Sequence, residues 1–192
     1  FPDSLTSIGE YAFDGCDSLI SVEIPDSITN IGEYAFGDCA SLSMITLGSK
    51  YKYSSSLLVD AIRGSDNLKI INTNDLKAWC EADCESYNYA LGELITRTLE
   101  LYVNGQPLGD NVVIPEGTTK IGTGTFAMQG LKSVSIPDSV KTVGAGAFFQ
   151  CKNLASVKIP ANVTSIGYGA FAESSLTAVE LSEGLVSIDD HA

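Results

Sequence analysis

Residues 136–148 read Ile-Pro-Asp-Ser-Val-Lys-Thr-Val-Gly-Ala-Gly-Ala-Phe, and close copies of this stretch recur along the chain. As a template, the stretch reads apolar-Pro-x-x-Val-x-x-Ile-Gly-x-x-Ala-Phe. The copies begin at Phe1, Ile24, Ile114, Ile136, Ile159 and Leu181. The step is 23 residues from Phe1 to Ile24 and 22 residues from Ile114 to Ile136, and both values recur in the later copies. Similarity at a fixed short period predicts a solenoid, in which each copy is one coil stacked on its neighbours.

A short strand precedes each apolar-Pro pair and places its side chains alternately inward and outward. In residues 19–24, Val22 and Ile24 point into the coil, whereas Ser21 and Glu23 face outward. Strands of successive coils would form a parallel ladder, whose outward side chains form a candidate partner-binding face. The candidate residues of this ladder face are Ser21, Glu23, Met44, Thr46, Ser133, Ser135, Ser156, Lys158, Ala178 and Glu180.

The period lies inside the window of about 20–29 residues that is typical of leucine-rich repeats, and the strands carry their Leu-x-x-Leu-x-Leu spacing. The predicted fold class is therefore a β-rich leucine-rich-repeat solenoid. We expect a parallel β ladder, short helical turns at the Ala-Phe pairs, and one insertion built from a helix and a hairpin.

The repeat pattern divides the chain into coils and one interruption. We assign coils to residues 1–23, 24–46, a degenerate 47–73, 114–135, 136–158, 159–180 and a partial 181–192, with the insertion at 74–113. Because no linker rich in Ser, Gly or Pro separates the two sets of coils, we interpret the chain as a single solenoid. Both ends fall inside a repeat, so we expect a fragment of a longer array.

The insertion has its own local signals. Thr73-Asn74-Asp75 is a candidate helix cap, and the composition predicts a helix from Leu76 to about Cys84. Residues 99–103 alternate as a strand, and the Asn-Gly pair at 104–105 predicts a hairpin turn.

The charge is strongly acidic and unevenly distributed. The formal net charge is −13, and residues 1–49 hold eight Asp and Glu with no Lys or Arg. Such a surface repels phosphate backbones and anionic lipid, which argues against nucleic acid as a partner. No apolar run approaches the ~20 residues of a transmembrane helix.

The cysteines have structural and chemical interpretations. Cys16, Cys39 and Cys151 hold the same repeat position, where a small buried residue would line the coil; a disulfide between Cys16 and Cys39 is the alternative. Cys80 and Cys84 lie four residues apart on the predicted helix, as metal ligands could. Zinc requires four ligands, however, and no His or further Cys lies nearby in the sequence, so we predict no metal site.

No catalytic constellation stands out. His191 is the only histidine, so a Ser or Cys nucleophile has no imidazole base elsewhere in the chain. Asp189, Asp190 and the scattered acids are typical of a solvated surface. The Gly-rich stretches at 121–124 and 143–146 contain the Gly of the repeat and lack the Gly-Lys of a phosphate-binding loop. We predict neither enzyme activity nor a cofactor.

Aromatic residues are enriched in the insertion, where the repeat does not dictate residue type. They are Trp79, Tyr87, Tyr89 and Tyr102. Exposed aromatic side chains of this kind act as hot spots in protein interfaces, which makes them candidate partner-binding residues. Alternatively, they pack the insertion against the coils.

The repeat motif, extended to Ala-Phe-x-x-Cys at residues 1–16, 24–39 and 136–151, resembles the BspA-type leucine-rich repeat of bacterial cell-surface proteins, the Treponema pallidum class. The insertion is similar to a module found between repeats in that family. The resemblance implies a secreted or surface-anchored bacterial protein with adhesive roles, such as binding fibronectin or fibrinogen. The motif residues are scaffold residues, so no binding residue is carried over from the family.

We therefore expect a non-catalytic recognition or adhesion module that binds a host matrix protein or a partner-cell protein through the ladder face and the insertion. The alternative is a structural spacer within a larger surface protein, with no ligand of its own. A third hypothesis is association between copies through exposed coil ends.

Overall fold

The computed structural model describes residues 1–48, 61–82 and 99–192. Within these residues the chain forms a β-solenoid of about seven turns with parallel sheets and very little helix, which confirms the predicted fold class. In chain order the elements are β1 (Ser7–Ile8), β2 (Ser21–Ile24), β3 (Asn30–Ile31), β4 (Met44–Leu47), β5 (Ile70–Thr73), α1 (Leu76–Glu81), β6 (Glu100–Val103), β7 (Gln106–Pro107), β8 (Asn111–Val113), β9 (Lys120–Ile121), β10 (Ser133–Ser135), β11 (Thr142–Val143), β12 (Ser156–Lys158), β13 (Ser165–Ile166), β14 (Ala178–Glu180) and β15 (Ser187–Ile188).

The strands form two ladders, which run along two sides of the coils. In the main ladder, β2, β4, β5 and β6 pair in parallel, as do β8 with β10 and β12 with β14. In the second ladder, β1 pairs with β3, and β9, β11, β13 and β15 follow one another in parallel. Each strand meets the next in the repeat register, so Val22 lies opposite Ile45 and both are buried.

The core is a single cluster of buried apolar side chains inside the coils. The Phe of the repeat motif stacks from coil to coil. The ring centroids of Phe13 and Phe36 lie 5.3 Å apart, and Phe148 lies 5.5 Å from Phe126 and 5.2 Å from Phe171. One position of the motif thus builds two aromatic stacks, one in coils one and two and one in coils four to six, while coil three has Ile62 at this position.

The repeat position of the cysteines makes a hydrogen bond to the preceding coil. The Sγ of Cys39 donates to the backbone oxygen of Phe13, and the Sγ of Cys151 to that of Phe126, each at 3.1 Å. Where serine replaces cysteine, the Oγ of Ser65 donates to the oxygen of Phe36 at 2.7 Å. Cys39 and Cys151 are buried, Cys16 is half-buried, and each is a free thiol. The position therefore holds small residues; Cys39, Ser65 and Cys151 also donate to the preceding coil, whereas Gly130 in coil four has no side-chain donor.

Coil geometry accounts for the Gly-rich stretches of coils four and five. Gly124 and Gly146 have φ angles of 66° and 58°, in the left-handed region where glycine meets no steric penalty. At Gly144, a Cβ would lie 2.6 Å from the backbone carbon of Gly122 in the neighbouring coil. These glycines therefore let the chain turn and let the coils approach each other.

The insertion begins with the predicted helix. The Oδ1 of Asp75 accepts a hydrogen bond from the N–H of Ala78 at 3.0 Å, so Asp75 is the N-cap. The C-terminal end of α1 then takes the place of a second-ladder strand. The carbonyl of Cys80 accepts from the N–H of Gly122 at 2.6 Å, as Ile121 does from Gly144 at 2.7 Å in the next coil. The helix ends at Glu81, and Ala82 is already extended, so the predicted end near Cys84 was about three residues too late; Cys84 itself lies outside the described residues.

The predicted hairpin is confirmed, and it is joined to the coils more closely than the sequence indicated. β6 and β7 pair antiparallel around Asn104 and Gly105, which have φ angles of 51° and 74°. β6 also pairs in parallel with β5, with Ile71 opposite Leu101. The first limb of the hairpin is therefore also the fourth strand of the main ladder.

The buried thiol of Cys151 leads to a prediction about stability at alkaline pH. Burial raises the pKa of this thiol to about 12 from an ordinary value of 9.0. The folded protein therefore holds this proton more tightly than the unfolded chain between those pH values, so the thiol's contribution to the free energy of unfolding falls as the pH rises above about 9. We expect urea unfolding to show that the stability difference between the parent and Cys151→Ala narrows from about pH 8 to about pH 10.5.

The control for this prediction is Val157→Ala, which shortens a buried side chain of the same coil that does not titrate. Its stability difference from the parent should stay constant over the same pH range. If the Cys151→Ala difference also stays constant, the thiol does not carry the expected linkage.

Candidate recognition surface

The outward side of the main ladder forms two rows over coils one to three and the insertion. The first row runs through Ser21, Met44, Ile70 and Glu100, and the second through Glu23, Thr46, Asn72 and Tyr102. Met44, Ile70 and Tyr102 are half-buried, whereas Ser21, Glu23 and Glu100 are exposed. We call these eight residues the upstream face. Both rows begin at β2 with an exposed polar residue, Ser21 in the first row and Glu23 in the second.

Asn72 fastens the hairpin to this face. Its Oδ1 accepts from the N–H of Gly105 at 2.8 Å, and its Nδ2 lies 3.4 Å from the Oγ1 of Thr46. Asn72 is buried, and both ends of its amide are used within the protein. It therefore supports the upstream face and does not belong to the part that a partner could contact.

The downstream part of the ladder face is polar. The Oγ of Ser133 donates to the Oδ1 of Asn111 at 2.7 Å, and Lys158 pairs with Glu180 at 2.9 Å. The hydrogen bond from Lys158 to the carboxylate of Glu180 is the main cause of the raised pKa of the Lys158 ammonium group. Ser135, Ser156 and Ala178 are exposed beside these pairs, and together the seven residues form what we call the downstream face. Its ion pair is open to solvent, where such pairs contribute little to stability.

The structure unites two predicted sites that the sequence kept apart. Tyr102 was predicted as an insertion residue, yet its strand places it in the same row as Glu23 and Thr46. Sequence reasoning missed Ile70 and Glu100. The alternation around the inward Ile71 already marked Ile70 as outward. Glu100 could not be found in this way, because its strand β6 follows a stretch without the repeat pattern, and the pairing of β6 with β5 was therefore not predicted.

Trp79 has a structural role. Its indole Nε1 donates to the backbone oxygen of Thr125 at 3.0 Å. Ala147 holds the position of Thr125 in coil five. Its carbonyl accepts a hydrogen bond from the backbone N–H of Phe126 in coil four at 2.8 Å. The indole therefore replaces a missing backbone donor and connects α1 to coil four. This contact supports the packing interpretation of Trp79.

Glu81 substitutes for the backbone in a similar way. Its Oε1 accepts from the N–H of Thr119 at 2.7 Å and from the Oγ1 of Thr119 at 3.0 Å. In the following coil, the N–H of Lys141 finds a backbone oxygen at this place, that of Thr119, at 2.8 Å. Two side chains of α1 thus complete the hydrogen bonds that a regular coil would supply. Tyr87 and Tyr89 lie outside the described residues and stay predictions.

Cys80 of α1 offers little reactivity. Burial, followed by the carboxylates of Glu81 and Asp75, raises the pKa of the Cys80 thiol to about 12. A thiol with such a pKa is protonated at neutral pH. Only the deprotonated thiolate binds metals and attacks electrophiles. Within residues 1–48, 61–82 and 99–192, no group of three or more His, Cys, Asp and Glu is arranged to hold a metal ion.

His191 packs edge-on against Tyr168, with ring centroids 5.4 Å apart and an interplanar angle of 77°. It therefore makes a local aromatic contact in the last coil. The part of the chain that the structure describes contains no helix whose length and hydropathy would allow it to cross a membrane.

Comparisons with known proteins agree with this architecture. The model of the BspA type leucine-rich repeat region matches residues 1–87 and 108–192 in six copies. Among curated proteins, a search finds no match.

Solved structures of three bacterial proteins are similar. A leucine-rich repeat protein from Bacteroides ovatus is 26% identical, with a TM-score of 0.48, over 94% of this chain and 42% of that one. A leucine-rich cell surface protein from Faecalibacterium prausnitzii is 28% identical, with a TM-score of 0.46, over 93% and 44%. The Treponema pallidum leucine-rich repeat protein is 27% identical, with a TM-score of 0.37, over 93% and 64%. The chain thus spans less than half the length of the first two.

Replacing Trp79 tests whether its indole is structural. Trp79→Phe keeps an aromatic ring but removes the donor to the Thr125 carbonyl. We expect it to lower the free energy of unfolding by about 1 kcal/mol, as measured by urea unfolding followed by circular dichroism.

Tyr102→Phe is the matched control, since it removes a polar group from a half-buried ring on the upstream face. Its stability should stay within about 0.5 kcal/mol of the parent. A Trp79→Phe variant as stable as the parent would contradict the structural role and return Trp79 to the partner-binding candidates.

Proposed function

Since the chain belongs to the family of BspA-type leucine-rich repeat regions, with 172 of its residues inside the matched ranges 1–87 and 108–192, we propose that it is a non-catalytic recognition module of a bacterial surface or secreted protein. The partner we propose is a host matrix protein or a protein on another cell. The family is generally non-catalytic and surface-associated. These two properties are the reason that we propose a role without catalysis and a location at the cell surface or outside the cell.

The upstream face is the observation that carries this proposal. It presents Met44, Ile70 and Tyr102 half-buried in adjacent strands, with the exposed carboxylates of Glu23 and Glu100 nearby. An apolar and aromatic centre with a polar surround is the usual anatomy of a protein-binding surface. Strands in a ladder lie about 4.8 Å apart, so these side chains form a broad contact area rather than a small-molecule cleft.

The distribution of charge also fits a protein partner. The net charge of −13 and the wholly acidic set of charges in residues 1–49 disfavour contact with phosphate backbones and anionic lipid. A protein surface that is neutral or basic would meet no such repulsion.

Replacement of Tyr102 tests the proposal. The parent chain is immobilised, and fibronectin, fibrinogen and whole cells are passed over it. We expect one of these probes to be retained, and Tyr102→Ala to weaken its binding at least about tenfold, because Tyr is among the residues that contribute most to the binding energy of protein interfaces.

The matched control is Tyr168→Ala, which removes a 44% exposed Tyr that follows β13 of the second ladder. It should leave binding within about twofold of the parent. Circular dichroism establishes that both variants fold. If the parent retains none of the probes beyond a charge-matched control protein, the recognition role is wrong.

The spacer alternative gives a different result in the same assays. A spacer would leave whole-cell adhesion unchanged when the upstream face is replaced. Deletion of whole coils would then change adhesion only through the reach of the attached domains.

A further inference from the structure

Two tyrosines occupy a backbone position that coils four to six give to glycine and that the last coil gives to His191, with a φ angle of 59°. This position precedes the Ala-Phe pair of the motif, and its backbone is left-handed. The φ angles are 56° at Tyr11 and 53° at Tyr34, against 66° at Gly124, 58° at Gly146 and 58° at Gly169. A residue with a side chain pays about 1–2 kcal/mol for this conformation. The scaffold accepts glycine here, so coil geometry does not explain why coils one and two carry tyrosine.

The two rings are aligned with each other. The rings of Tyr11 and Tyr34 are parallel within 3°, and their centroids lie 5.2 Å apart. They belong to adjacent coils and are 23 residues apart in the sequence. The repeat stacking of the coils thus brings the two phenol rings side by side in a parallel, offset arrangement.

The two tyrosine rings differ in exposure, because Tyr34 is packed between neighbouring side chains and Tyr11 is largely exposed. The Cζ of Arg63, in the third coil, lies over the ring of Tyr34 at 5.9 Å from its centroid. Tyr34 is half-buried between this guanidinium and Tyr11. Tyr11 is 56% exposed, so the edge of its ring is open to small oxidants.

From this arrangement we propose that Tyr11 and Tyr34 form a site for oxidative cross-linking, at which a peroxide acting through a haem peroxidase joins the two rings as dityrosine. Each phenol gives up one electron and its hydroxyl proton and becomes a phenoxyl radical. The radicals couple through ring carbons next to the hydroxyl-bearing carbon, forming one carbon–carbon bond. Each of these carbons then loses its proton, and the hydroxyl groups are restored. The peroxide takes up both electrons and becomes two waters, so the protein loses two hydrogen atoms.

The cross-link would tie coil one to coil two covalently. The described cysteines are free thiols, so no described disulfide performs this task. A bond between residues 23 positions apart restricts the unfolded chain as a disulfide does, and it would hold the first coil against fraying. This role concerns the stability of the module and does not depend on the proposed partner.

Mass spectrometry of the oxidised protein tests the proposal. The folded parent is treated with hydrogen peroxide and horseradish peroxidase, and the monomer is isolated by electrophoresis. Residues 1–49 contain no Lys or Arg, so trypsin leaves both tyrosines on one peptide, whereas cleavage at acidic residues separates them. We expect a joined pair of peptides containing Tyr11 and Tyr34 and lacking two hydrogen atoms.

Three variants define the site. Tyr11→Phe and Tyr34→Phe each keep a stacked ring but lack one phenol, so each should abolish this peptide pair. Tyr168→Phe changes an exposed Tyr elsewhere and should leave its yield unchanged. The cross-linked parent should also unfold at a higher urea concentration than the untreated parent.

A parallel reaction in urea separates geometry from chance encounter. The unfolded parent should give a yield at least about fivefold lower, because the rings are then no longer held together. The proposal is overturned if the folded parent gives no Tyr11–Tyr34 product, or if folded and unfolded protein give equal yields.

Discussion

The hydrogen bonds between successive coils are the interaction on which this structure depends. Each coil exposes backbone donors and acceptors on both of its flat sides, and only a neighbouring coil at the correct distance satisfies them. The N–H of Phe36 donates to Ala61, and that of Phe148 to Ala170, each at 2.7 Å. Stacking also aligns the two Phe stacks and brings the donor at the Cys position to the preceding coil. The repeat motif is the set of side chains compatible with this contact.

The insertion obeys the same constraint by other means. Where α1 meets coil four, the indole of Trp79 and the carboxylate of Glu81 replace backbone groups of a regular coil. Where residues 99–101 meet coil four, the amide of Gln129 donates to the oxygen of Leu99 at 2.8 Å and accepts from the N–H of Leu101 at 3.3 Å. Side chains thus restore the hydrogen bonds that a change of repeat would otherwise leave open, and Trp79 is committed to the scaffold.

The residues to which we assign functions lie at positions where the stacking of coils does not fix the side chain. Met44 lies opposite Ile70, and Tyr102 lies opposite Asn72, at outward positions of the main ladder, so these side chains can contact a partner without loss of the core. The left-handed position before Ala-Phe is constrained in its backbone but not in its side chain, because the ring of Tyr11 stands outside the coil. The recognition surface and the oxidation site are therefore compatible with the same scaffold.

The sequence by itself determined the solenoid, its period, the inward residues, the helix cap within residues 73–75 and the hairpin at residues 104–105, because each follows from local or periodic chemistry. Ten ladder positions were likewise readable from alternation alone. Only the tertiary structure decided that Tyr102 shares a row with Glu23, that Trp79 bonds to Thr125, and that the rings of Tyr11 and Tyr34 are parallel. These arrangements join residues 23 to 79 positions apart in the sequence, and their geometry depends on how coils stack, which no local pattern encodes.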